Sequence, residues 1–233
     1  MFEAGAFSLQ SSSLGNPNPC AGGSGDPHFI QQILDKNSKT PQTICYDVVG
    51  KSTNQIRILQ DFQTKTKIDG ILKDDFYMHI MRISISDEIF QFFTDYIQFP
   101  NDKVMIWKNT DSPLQYGSLT IKITDRAISL LVKRRSKQLS FAITKEYNYL
   151  TGWHLNIGFQ SLNATESRFG GMMGDIGKKS FEFRESIQNN RGAMLKDDNH
   201  IIQASLKVRS DIKCWFVAFE DIIYPKTSVN YVY

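Results

Sequence analysis

Ser118–Thr124 reads SLTIKIT, and its alternation decides the fold class. Leu119, Ile121 and Ile123 fall on one side of an extended chain, Thr120 and Lys122 on the other, which is the period of a half-buried strand. Arg82–Ser86 (RISIS), Lys103–Trp107 (KVMIW), Leu139–Ile143 (LSFAI) and Trp153–Ile157 (WHLNI) alternate in the same way. Ile128–Val132 (ISLLV) and Cys214–Val217 (CWFV) are continuously apolar, as in strands covered on both faces. Turn signals stand at Ile68-Asp69-Gly70, Asp111-Ser112-Pro113 and Thr124-Asp125-Arg126. Asp87–Tyr96 (DEIFQFFTDY) is readable as a helical turn or a strand. Sixteen Phe and nine Tyr suit a β core. The expectation is an all-β domain, an antiparallel sandwich or barrel of many short strands with little helix.

Working outward, the chain has 233 residues, with 27 Lys+Arg against 24 Asp+Glu for a net charge of +3. A 41% hydrophobic content excludes a disordered polymer, and the charge is too small to imply a nucleic-acid partner. No run approaches the ~18 apolar residues of a membrane-spanning helix. The opening MFEAGAFSLQSSS has neither a basic start nor an apolar core, so it is not read as a signal peptide. Ser11–Asp26 (SSSLGNPNPCAGGSGD) is too rich in Gly, Ser, Pro and Asn to pack. The expected organisation is a flexible stub over 1–25 and one domain over 26–233.

Familiar catalytic signatures are missing. The histidines His28, His79, His154 and His200 form no close ligand pair. Gly170–Ser180 (GGMMGDIGKKS) has the wrong spacing for a phosphate loop, and Gly22–Asp26 breaks a nucleophile elbow at its last position. No metal or cofactor is expected. The basic run Lys133-Arg134-Arg135-Ser136-Lys137 reads as a solvated hairpin tip or as a glycan-binding site. Asn163-Ala164-Thr165 is a glycosylation sequon, meaningful only on a secreted chain. None of the three cysteines lies in a Cys-x-x-Cys pair.

Gly25-Asp26-Pro27-His28-Phe29, at the border of stub and domain, carries the chemistry. The Asp26 side-chain carboxylate can attack its own backbone carbonyl and close a five-membered cyclic anhydride, expelling the nitrogen of Pro27. A tertiary amide twists more readily than a secondary one. Pro27 also holds Asp26 extended, and Gly25 admits backbone angles closed to other residues. His28 could protonate the leaving nitrogen, since an imidazole titrates near neutral pH. The anhydride would then acylate water or a sugar hydroxyl. The plain alternative is that Asp26-Pro27 merely begins the first strand.

This motif followed by β texture resembles two related groups: von Willebrand factor type D domains and the C-terminal domain of inter-alpha-trypsin inhibitor heavy chains. The rest of the chain looks like the second. Thr43–Asp47 (TICYD), Arg57–Asp61 (RILQD), Lys67–Leu72 (KIDGIL), Gly158-Phe159, Gly171–Gly174 (GMMG) and Lys213–Val217 (KCWFV) are similar to its successive segments over roughly residues 25–233. Type D domains are usually richer in cysteine. The resemblance implies cleavage between Asp26 and Pro27, esterification of Asp26 to the chondroitin sulfate of bikunin, and later transfer to hyaluronan, within a serine-protease-inhibitor complex. It implies a released propeptide, not a turnover enzyme. It also implies a Cys45–Cys214 disulfide and a secreted protein of which this chain is a fragment. Cys20 has no counterpart. Tyr46 stands where the family often has Phe, and Asp175 where it often has Gln. The alternative expectation is an unprocessed β-rich extracellular module that binds glycan or protein.

Overall fold

The computed structural model describes residues 21–24, 28–74, 77–159, 162, 166–186, 191–196, 200–209 and 212–233. The chain opens with β1 (Ala21–Ser24), β2 (His28–Leu34) and β3 (Pro41–Asp47). A meander follows: β4 (Gln55–Asp61), β5 (Thr66–Leu72), β6 (Met78–Ile85), β7 (Glu88–Phe93), β8 (Tyr96–Gln98) and β9 (Val104–Ile106). Next come β10 (Leu114–Tyr116), β11 (Leu119–Ile123), β12 (Ala127–Arg134), β13 (Lys137–Asn148) and β14 (Gly152–Phe159). The last part holds β15 (Phe169–Gly170), helix α1 (Gly171–Gly177), β16 (Phe181–Ser186), β17 (Arg191–Lys196), β18 (Ile201–Arg209), β19 (Ile212–Val217) and helix α2 (Phe219–Ile223).

Among the described residues these strands make a 12-stranded sheet, ordered β10-β11-β12-β13-β14-β1-β2-β3-β19-β18-β17-β16, and a 7-stranded sheet, ordered β15-β4-β5-β6-β7-β8-β9. The named strands pair antiparallel except β3 with β19, which run parallel where Ile44 faces Trp215 and Cys45 faces Phe216. The two sheets enclose one core. Phe29, Ile44, Ile121, Ile128, Phe141 and Ile143 line it from the larger sheet, and Ile56, Ile58, Ile68, Ile83, Phe90 and Phe92 from the smaller, all buried. Full burial of such a side chain contributes about 1.5–3 kcal/mol before entropy is subtracted. The architecture is the expected all-β sandwich.

Three local readings change. Ala21–Ser24 falls in the expected flexible stub, yet it is a strand paired to β14 and β2. Its backbone fills a gap in the ladder, a role that needs no apolar side chains. Ile68-Asp69-Gly70 is no turn but the middle of β5. Asp69 is buried there against the Arg57 guanidinium and accepts a hydrogen bond from Gln55 Nε2 at 2.9 Å. Burial pushes the Arg57 proton affinity down, but the Asp69 contact outweighs it and leaves the group above its ordinary value. Asp87–Tyr96, open between helix and strand, contributes Glu88–Phe93 to β7.

The glycine-rich segment that failed as a phosphate loop is a packing device. In α1, Met172, Met173 and Ile176 are buried. A Cβ on Gly174 would meet the backbone carbon of Phe169 at 2.7 Å, and one on Gly171, at φ +72°, would crowd the β4 backbone at 3.1 Å. Tyr46 and Asp175 also have partners. The buried Tyr46 hydroxyl donates to Gln31 Oε1 at 2.7 Å. Asp175 accepts from Tyr231 Oη at 3.0 Å and Lys226 Nζ at 2.8 Å, fastening the chain's end to α1.

Candidate functional site

The site is built where β1 meets β2. Ser24 stands opposite His28 in that antiparallel pair, so the three residues between them join neighbouring strands. Gly25, Asp26 and Pro27 are those three; they lie outside the described residues, as do Cys20 and Asn163. Both strands are interior to the sheet, with β14 beyond β1 and β3 beyond β2. Residues 24 and 28 are therefore anchored at cross-strand spacing, about 5 Å between Cα atoms.

His28 lies at this junction and is not isolated. Its cross-strand neighbour on the other side is Asp47, the last residue of β3. Imidazole Nδ1 contacts Asp47 Oδ1, and the Arg209 guanidinium lies against both. Arg209 Nη1 donates to Asp47 Oδ1 at 2.5 Å and Nη2 to Oδ2 at 3.2 Å, a two-pronged carboxylate clamp. Arg209 donates and Asp47 accepts, and the tautomer sets the role of His28 Nδ1: protonated, it donates to Asp47 Oδ1; unprotonated, it accepts from Arg209 Nη1. Burial pushes the Asp47 carboxyl up, but the Arg209 and His28 hydrogen bonds and their charges outweigh it and hold the group below the usual carboxylate range.

The flanking surface is apolar and covalently braced. Cys45 and Cys214 form a disulfide that spans 169 residues. Around the bridge pack Ile30, Ile212 and Phe216. Arg209 lies 4.9 Å from the Phe216 ring centroid and Lys207 lies 3.9 Å from it, within reach of a cation–π contact. Residues two apart on a strand share a face. Cys45 and Asp47 on β3, with Ile30 and His28 on β2, thus form one patch. The bridge ties β3 to β19, whose hairpin partner β18 ends at Arg209. Such a bridge fits an extracellular protein.

The other expected residues lie elsewhere. Lys133 and Arg134 end β12 and Lys137 begins β13, with Arg135 in the two-residue connection. That is the hairpin tip foreseen in one of the two readings. His154 is buried, with Tyr77 at 4.9 Å between ring centroids, and His200 stacks on Tyr224 at 4.8 Å. Among the described residues no group of three His, Cys, Asp or Glu is placed to hold a metal ion, and no helix is long and apolar enough to cross a membrane.

Sequence reasoning singled out His28 but missed Asp47 and Arg209. Asp47 ends the TICYD segment, where no local pattern gives it a role. Arg209 lies 162 residues away from it, and no local pattern marks it. Comparison of the chain with protein-family models, with curated proteins and with solved structures finds no match in any of the three.

Proposed function

We propose that the chain is the C-terminal processing domain of an inter-alpha-trypsin inhibitor heavy chain-like secreted protein, and that it severs its own Asp26–Pro27 bond. The observation that carries this reading is the position of His28, one residue past Pro27, with its ring oriented by an Asp47 that Arg209 clamps. A histidine oriented through Nδ1 by a carboxylate is a common arrangement for proton transfer.

In the proposed step an Asp26 carboxylate oxygen attacks the Asp26 carbonyl carbon. The tetrahedral adduct expels the Pro27 nitrogen as the C–N bond breaks. With Nδ1 turned toward Asp47 and Arg209, Nε2 of the protonated ring is the nitrogen that gives up the proton. The products are a cyclic anhydride at Asp26 and a secondary amine at Pro27. Water opens the anhydride to two carboxyls; a glycan hydroxyl opens it to an ester and one carboxyl. The event is single-turnover, and residues 27–233 are its released product. Chondroitin sulfate of bikunin and hyaluronan are the acceptors this reading names.

The test is intact mass after mild acid incubation of wild type and Asp26→Ala. Wild type should split after residue 26 while the variant stays whole. Equal survival of the two overturns the reading.

A further inference from the structure

At the far end of β13 from the level of Ser24, two hairpin tips from different sheets meet. Along the register, Ser24 is level with Thr144 of β13 through Asn156 of β14, judged by continuing the pairs Gly23–Ile157 and Thr144–Asn156. The β12–β13 tip at Lys137 is seven residues from Thr144, roughly 24 Å along a strand. There Arg134, Arg135 and Lys137 face Lys65 and Phe62 from the β4–β5 connection across a cleft of about 470 Å³.

Three observations bear on this cleft. No carboxylate lines it, and among the described residues none of its four cations forms an ion pair within 4.0 Å; Arg134 Nη1 donates to Ser86 Oγ at 3.1 Å. Asp61 and Asp87 line the adjoining cleft that shares Phe62 and Lys65; within this one the four like charges repel one another, a cost that an anion removes. Phe62 is 55% exposed beside them, an apolar wall against which a sugar ring could lie. Finally, Lys65 has φ 54° and Arg135 φ 53°. Both positions are in the left-handed region, where Gly or Asn would sit with less strain, yet cationic side chains occupy both. Lys39, Thr53, Ser86 and Asp102 share this conformation, so it marks both tips as tight turns.

We infer that this two-hairpin cleft binds a sulfated polysaccharide. Four cations around so small a space ask for negative charges a few ångströms apart, and Arg forks match tetrahedral oxyanions. Hyaluronan, with one carboxylate per disaccharide, is too dilute in charge. The Cys45–Cys214 bridge suits an extracellular setting, which favours a sulfated glycan over nucleic acid. The inference does not depend on cleavage at Asp26.

The experiment measures binding of the uncut Asp26→Ala chain to heparin, to fully desulfated heparin and to single-stranded DNA of equal charge, at rising salt. Heparin should bind most tightly, with affinity falling steeply with salt, and both other polymers at least tenfold more weakly. Lys65→Gly/Arg135→Gly should weaken heparin binding on the order of tenfold without lowering Tm, because glycine relieves the left-handed strain. Lys51→Ala/Lys103→Ala/Lys108→Ala, which removes three positive charges outside the cleft, should bind within about twofold of the parent. Equal loss in that control, equal binding of DNA or desulfated heparin, or no binding overturns the inference.

Discussion

Arg209 reaches across to Asp47 with two hydrogen bonds, 2.5 Å from Nη1 to Oδ1 and 3.2 Å from Nη2 to Oδ2, and so couples β18 to the strand beside His28. Asp47 can orient an imidazole only if its own position is fixed, and this contact fixes it. Asp47→Asn keeps the shape but removes the charge. Cleavage of the Asp26–Pro27 bond should slow at least tenfold, by analogy with carboxylates that orient catalytic histidines, and far-UV circular dichroism should be unchanged. An unaltered rate would remove Asp47 from the account.

The same clamp sets a pH dependence. Asp47 titrates below its unfolded value, so its contribution to stability is fully present above the unfolded carboxylate range, near pH 4. It is lost as pH falls through the lower, folded value. Arg209→Met removes one of the two groups holding it down, His28 being the other, and should raise the acid-unfolding midpoint toward pH 4, as read by tryptophan fluorescence. A midpoint unchanged from wild type would show that the clamp carries no pH-dependent stability.

The Cys45–Cys214 bridge closes a loop of 169 residues. Chain-entropy arguments give such a bridge up to about 5 kcal/mol, and measured native bridges contribute about 2–5. Cys45→Ala/Cys214→Ala should lose stability in that range in urea titrations. It should also slow cleavage, because β3 and the β18–β19 hairpin would then be held together by non-covalent contacts alone. Retained stability would indicate that sheet pairing suffices.

Much of the fold was legible because it is written in side-chain alternation. Leu119–Ile123, Ile128–Val132 and Leu139–Ile143 show strand texture locally, and each is a strand. Ala21–Ser24 was not legible, because AGGS has no pattern; its place comes from the hydrogen bonds of β14 and β2. Asp69-Gly70 carries a turn composition but sits mid-strand, since Gly70 leaves room for Met78 and Asp69 is paired with Arg57. At the site, His28 was visible beside an unusual bond. Asp47, Arg209 and the convergence of Lys65 with Arg134–Lys137 depend on contacts far apart in the chain, which no local window contains.

Buried polar pairs in the interior should be costly to break singly. Arg57→Ala would leave the buried Asp69 carboxylate without its charged partner, with Gln55 Nε2 still donating to it, and such losses cost up to about 3–5 kcal/mol. Tyr46→Phe would leave Gln31 Oε1 without its 2.7 Å donor, at about 1–3 kcal/mol. Chemical denaturation of both variants checks the order, with Arg57→Ala the less stable. A Tyr46→Phe variant as stable as wild type would show that Gln31 finds another donor.

The decisive experiment is N-terminal sequencing of the product released by a secreting cell. The product should begin Pro27-His28-Phe29, and its formation should be abolished by Asp26→Ala and strongly reduced by His28→Ala. A chain secreted without a break at that bond, or one cut there equally well in the Asp26→Ala variant, would contradict it.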